Sequence, residues 1–284
     1  MSKFRARKRT WRWPGNERVA FTIGLAFEAF EFQSQYRTRD TPGVVNPLSL
    51  SYAEYGVKVG GWRLLELLDG YGIKAHMSTN GLAAERYPDF LSTAVGEGHE
   101  ISGHGWVNDR IYTADDIEIE RRDIKRTTEA IAAATGTRPM GWTSSGATPS
   151  SNTLGLLAEA GYQWSGDDAS DDLPFVRDVD GRSLVMLPHT HTHQNDVQIF
   201  LGPRNGPGII WEGFKESFDR LYQEGIDGHP GWTEIILHCQ IGGRPVLTGT
   251  IRKCLDYLTG HDGVWCTTRN QIANWTLALN SQAR

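Results

Sequence analysis

Short apolar runs alternate with amphipathic segments along almost the whole chain, and this alternation constrains the fold more than any other feature. Residues 18–27 are nearly continuously apolar, the pattern of a strand buried on both faces. A polar, glycine-containing loop is expected over 33–50. Trp62, Leu64, Leu65, Leu67 and Leu68 then make a helical apolar face closed by Gly70 and Gly72. Residues 73–78 read as strand, 88–95 as helix, 100–105 as strand, and 115–134 as a charged amphipathic helix stopped by Gly136. The order continues with a helix over 153–160 and strands over 162–165 and 184–188. A helix over 211–224, a strand over 234–238, a helix over 247–258 and a strand over 264–267 complete it. Such alternation builds a parallel sheet, either doubly wound or closed. No composition shift marks a linker, so one domain over residues 1–284 is expected.

Composition excludes several function classes. With 39% hydrophobic residues and ten tryptophans, the 284 residues have ample material for a core. A net charge of −5 offers no basic field for nucleic acid. No apolar run approaches the ~18 residues of a membrane span. Lys3, Arg5, Arg7, Lys8 and Arg9 make a basic start, but no apolar stretch follows as a signal peptide would require. The three cysteines, Cys239, Cys254 and Cys266, are odd in number and lack ligand spacing. They read as free buried thiols in a reducing compartment, so a cytoplasmic enzyme is expected.

Residues 98–106, reading Gly-His-Glu-Ile-Ser-Gly-His-Gly-Trp, put His104 at the end of a strand between two helices. That is where α/β barrels mount ligands and acid–base groups. Other blocks surround it in order: Trp13-Pro14-Gly15, then Gly61-Trp62-Arg63-Leu64-Leu65 running on to Gly72-Ile73-Lys74-Ala75. Gly136-Thr137-Arg138-Pro139-Met140-Gly141-Trp142, Asp171-Asp172-Leu173-Pro174, Asn195-Asp196, Leu237-His238-Cys239 and Gly243-Arg244-Pro245 follow. Together these resemble the polysaccharide-deacetylase (NodB-homology) superfamily of carbon–nitrogen hydrolases, and within it the branch of ring-opening allantoinases and cyclic-imide hydrolases.

The resemblance implies an α/β fold, a distorted (β/α)7-type barrel. It also implies a site. Metal-dependent members carry an aspartate pair after the first strand, as base and metal ligand, and two further histidine ligands. The matching positions here are Ala26, Glu28, His104 and Asn108. Alanine cannot take a proton, and an amide oxygen is a poor substitute for imidazole on zinc. A divalent cation such as zinc therefore meets an incomplete ligand set, with Glu28, His104, Asn108 and His191 as candidates.

His189, His191 and His193 alternate on one apparent strand face, as substrate contacts, a rebuilt metal site or a polar strand continuation. The resemblance makes His238 the general acid for the leaving nitrogen, a role imidazole fills near neutral pH. It makes Arg138 the residue that orients a carboxylate, with Asp171 or Asp172 as partner. Arg244 is a candidate grip on a substrate oxygen, and Trp106 and Trp142 are candidate aromatic walls for a flat ring. Glu31 is expected to face solvent, and Trp164, Trp265 and Trp275 to be core. Ser144-Ser145-Gly146 lacks the nucleophile-elbow spacing, and 202–208 lacks a phosphate-loop ending.

The expected function is hydrolysis of an amide-type bond in a small cyclic amide, imide or ureide. His238, His104 and Glu28 would carry it, in a homo-oligomeric enzyme with a small-molecule substrate. The alternatives are a metal-dependent carbohydrate N-deacetylase and a degenerate ligand-binding barrel.

Overall fold

The computed structural model describes residues 11–36, 43–188 and 194–282. His189, His191 and His193, like the basic start of the chain, lie outside the described residues. Strand β1 (Val19–Phe27) is buried along its entire length. It earns that burial by pairing in parallel with β2 (His76–Thr79) and with β8 (Gly231–His238), the latter over eight residues. Near its start it also pairs with β9 (Val264–Cys266), which sits beside the lower half of β1 where β2 has not yet begun.

From β2 the sheet continues through β3 (Glu100–Gly103), β4 (Gly141–Trp142) and β5 (Trp164–Ser165), all parallel. β5 pairs with β7 (Arg182–Met186), which forms an antiparallel hairpin with β6 (Phe175–Val179). The spatial order among the described residues is therefore β6-β7-β5-β4-β3-β2-β1-β8, with β9 on β1. Beyond β7, Asn195 bridges in parallel to Ile236 of β8, so the sheet curls towards its own far edge as a distorted barrel.

Helices cover the outside of the sheet. α1 (Pro47–Tyr55) starts at Asn46, whose side chain accepts from Ser49 N, with Pro47 in the first turn. A π turn (Gly56–Gly60) runs it into α2 (Gly61–Asp69), so helix begins inside the expected 33–50 loop. Two short helices, α3 (Gly81–Arg86) and α4 (Pro88–Gly96), precede β3. α5 (Ile117–Thr135) follows a capping box between Thr113 and Asp116 and ends on Gly136 in the left-handed region. α6 (Thr153–Glu159), α7 (Gly208–Ile226), the single turn α8 (Cys239–Gly242), α9 (Pro245–Thr259) and α10 (Arg269–Gln282) complete the set. No helix among the described residues is long and apolar enough to cross a membrane.

Register fixes what faces the barrel interior, because paired residues of parallel strands point the same way. Thr22 opposes Glu234; Gly24 opposes His76 and Ile236; Ala26 opposes Ser78 and His238. Small residues thus fill the middle rungs on β1, leaving room above a polar floor. The outward faces of β1, β2 and β8 pack Phe21, Ile23, Leu25, Phe27, Met77, Ile235 and Leu237 into the main core.

Candidate active site

Three residues at the C-terminal rim of the strands come together. Glu28 follows β1, His104 follows β3 and His238 closes β8, and all three line a cavity of ≈310 Å³. Glu28 is the hub. Its Oε1 lies 3.4 Å from His104 Nε2 and 3.6 Å from His238 Nε2. Its Oε2 accepts from Gln35 Nε2 at 2.6 Å and Gln240 Nε2 at 2.7 Å. Burial alone would raise this carboxyl. The charge on His238 and the contacts with His104 and Gln35 outweigh burial and bring it down to about 2.

The two imidazoles are held differently. His104 Nδ1 sits 2.7 Å from the carbonyl oxygen of Thr143. A carbonyl only accepts, so Nδ1 carries a proton, and Nε2 is turned to the cavity beside Glu28 Oε1. His238 Nδ1 sits 2.6 Å from Asp196 Oδ1, and its main-chain N donates to Asp196 Oδ2 at 2.9 Å. Burial lowers the His238 imidazole, but the Glu28 and Asp196 carboxylates prevail and hold it up to about 9. It is therefore a cation at neutral pH. Cys239, the next residue, is no nucleophile: burial and then the same two carboxylates push its thiol far up.

The polysaccharide deacetylase family model matches residues 54–165. A polysaccharide-deacetylase homologue of Schizosaccharomyces pombe is 29% identical over 297 residues, spanning 92% of this chain and 91% of that protein. A Pseudomonas aeruginosa structure assigned to the polysaccharide deacetylases superposes with a TM-score of 0.84 at 29% identity, over 92% of each chain. The PuuE allantoinase structure superposes with a TM-score of 0.82 at 30% identity, over 92% of this chain and 91% of that one. This chain belongs to the polysaccharide deacetylase family. It is a hydrolase of carbon–nitrogen bonds other than peptide bonds, the class to which those deacetylases and the allantoinase belong.

Among the described residues, the donor set of this deacetylase-family barrel does not fit zinc. Among the described residues no three His, Cys, Asp or Glu side chains converge as a metal-holding group. Glu28 Oε1 and His104 Nε2 face each other, but Glu28 Oε2 is committed to two glutamines, Ala26 has no donor, and Asn108 brings only an amide oxygen.

Several expected contacts are relocated. Trp106 is buried in the main core, with the Arg126 guanidinium over its ring; Trp142 is buried against Tyr162 on the outer face. Neither walls the cavity. A turn at Gly105, with φ of 73°, swings Trp106 back under Gly81, and Trp142 lies across Gly103 instead of facing inward. Arg138 sits on the outside, donating to the carbonyl of Ala160. Asp171 and Asp172 lie outside the cavity lining, Asp171 turning back to accept from Leu173 N. Arg244 is sandwiched between Tyr52 and Tyr55 and donates to the Gln240 carbonyl, so it braces α8 without lining the cavity. Glu31 pairs with Arg110 at 2.9 Å, and Cys266 is exposed, unlike Cys239 and Cys254.

The residues that sequence reasoning missed are Asp196, Gln35, Gln240 and Arg269, the last of which also lines the cavity. Asp196 had a signal, since it closes the Asn195-Asp196 block. The glutamines carried none.

Proposed function

We propose that this enzyme opens a small cyclic amide, imide or ureide by adding water to its carbonyl carbon. The observation that carries this reading is the Glu28 carboxylate, set between two imidazoles whose other nitrogens are tied to an acceptor carbonyl and to a carboxylate. That arrangement separates a base from an acid. His104 Nε2 takes a proton from water as the water oxygen bonds to the carbonyl carbon. Glu28, with its carboxyl near 2, is too weak a base for this; it orients the water and balances the charge His104 acquires. The tetrahedral adduct then collapses, the carbon–nitrogen bond breaks, and His238 gives its Nε2 proton to the departing nitrogen. One histidine ends protonated and the other neutral, and solvent exchange restores both.

The cavity supports a small substrate. Its ≈310 Å³ lies at the low end of ligand pockets, enough for a ring compound with its water. Among the described residues the donor set is unsuited to zinc, which supports a route in which acid and base are both side chains. The test is a hydrolysis screen over ring ureides, imides and lactams, run beside acetate release from chitooligosaccharides. Ring opening is expected, and His104→Ala or His238→Ala should each cut kcat by about 10²–10⁴ with the melting temperature nearly unchanged. Acetate release without ring opening would replace this reading with carbohydrate N-deacetylation.

A further inference from the structure

Asn108 lines the same cavity as Glu28 and His104, and its Oδ1 is buried with no hydrogen-bond partner among the described residues. Buried amide oxygens are almost always paired, so an unpaired one beside a cavity marks a place for a donor from outside the chain. Its position is not accidental slack. The backbone is pinned before, at and after the residue: Ser145 Oγ donates to the Val107 carbonyl at 3.1 Å, and Asn108 N donates to the Ala29 carbonyl at 2.9 Å. Asp109 accepts from the main-chain N of Glu31, Phe32 and Gln33 at 3.0, 2.7 and 3.1 Å. The acceptor thus sits on the loop after His104, and that loop is hydrogen-bonded to the segment that leads from Glu28.

We infer that Asn108 Oδ1 accepts a hydrogen bond from an N–H of the substrate ring and so selects rings that carry one. This rests on the ring-hydrolase reading. Glu28 Oε1 and His104 Nε2 are occupied with water and proton transfer, leaving the amide of Asn108 free to read the substrate's nitrogen. A site built to meet an N–H strongly rejects the analogue that lacks it.

The experiment compares hydantoin with 1-methylhydantoin and 3-methylhydantoin, measuring kcat/KM and, by calorimetry, binding to the protein and to Asn108→Leu and Asn108→Asp. Wild type should disfavour at least one methylated ring by tenfold or more. Asn108→Leu should lose that preference and bind hydantoin at least tenfold more weakly. Its melting temperature should hold or rise, because an unpaired buried acceptor has been replaced by an apolar group of similar size. Asn108→Asp, which keeps an acceptor, should retain the preference in binding. A preference unchanged in Asn108→Leu, or a lowered melting temperature with binding intact, overturns the inference while leaving ring hydrolysis standing. Discrimination in binding without turnover keeps the inference and leaves hydrolysis to be decided by the wider ring screen. No binding of any of the three rings overturns the inference.

Discussion

Burial argues against a charge on Glu28, and its neighbours win the contest. The same contest, with the opposite sign of charge, is decided for His238 by two carboxylates, Glu28 and Asp196. Each residue therefore depends on the other, and the pH behaviour follows. His238 moves from an ordinary 6.5 to about 9, so its contribution to stability is complete below 6.5 and lost as pH rises through 9. Glu28 moves from 4.5 to about 2, so its contribution is present above 4.5 and lost as pH falls through 2. Unfolding in urea should accordingly show greatest support from this pair between those limits, with a smaller free energy at pH 10 than at pH 6. For catalysis, the acid must be protonated, which puts the alkaline limb of kcat/KM near 9. Asp196→Asn removes one of the two carboxylates that hold the proton on. The alkaline limb should move down by about a unit or more, a shift that a pH–rate profile reads directly. An unmoved limb would mean that His238 is not the acid.

Elements place these residues by close approach as much as by pairing. The π turn between α1 and α2 brings Gly60 against α8, where a Cβ would meet the Cys239 carbonyl oxygen at 2.0 Å. Only glycine allows that contact, and α8 carries Gln240, which holds Glu28. Gly60→Ala should cost about 1–3 kcal/mol by overpacking. It should also lower kcat, because α8 can relieve the clash only by moving Gln240; urea unfolding and a rate assay on one preparation check both effects. This packing also shows why parts of the site were legible and others were not. The continuous apolar run of β1 and the histidines ending β3 and β8 could be read because a buried strand leaves no ambiguity about where its chemistry emerges. Trp106 was misplaced because which way a side chain faces after a glycine turn depends on the turn's φ, and Trp142 because residue spacing does not say which face of the two-residue strand β4 looks inward. Gln35 and Gln240 were invisible because a glutamine that orients a carboxylate looks, in one dimension, like any surface glutamine.

At the scale of the whole molecule, the barrel closes its floor with a buried ion pair that links the end of the chain to the site. Arg269, at the start of α10 and 1% exposed, donates to Glu234 through Nε at 3.1 Å and Nη2 at 2.5 Å. Its Nη1 donates to Thr143 Oγ1 at 3.0 Å, and Thr143 is the residue whose carbonyl sets the tautomer of His104. Glu234 also accepts from Thr22 at 2.8 Å and lies 3.4 Å from His76, so β1, β2, β8, α10 and the residue that follows β4 meet in one polar network under the cavity. α10 escaped the sequence reading for the same reason that Arg269 did. Its residues are largely polar, and an arginine reads as solvent-facing until a carboxylate 35 positions away is known to sit beneath it. The pair makes a prediction that separates folding from chemistry. Arg269→Met leaves Glu234 buried without its guanidinium and should cost about 3–5 kcal/mol, whereas adding Glu234→Gln should return much of that loss. Catalysis should not return with it. The double variant still lacks the donor that holds Thr143, so His104 loses its fixed tautomer and kcat stays low although the melting temperature recovers. A double-mutant cycle read by urea unfolding and by kcat tests the two separately, and parallel recovery of both would show that the floor supports the fold alone.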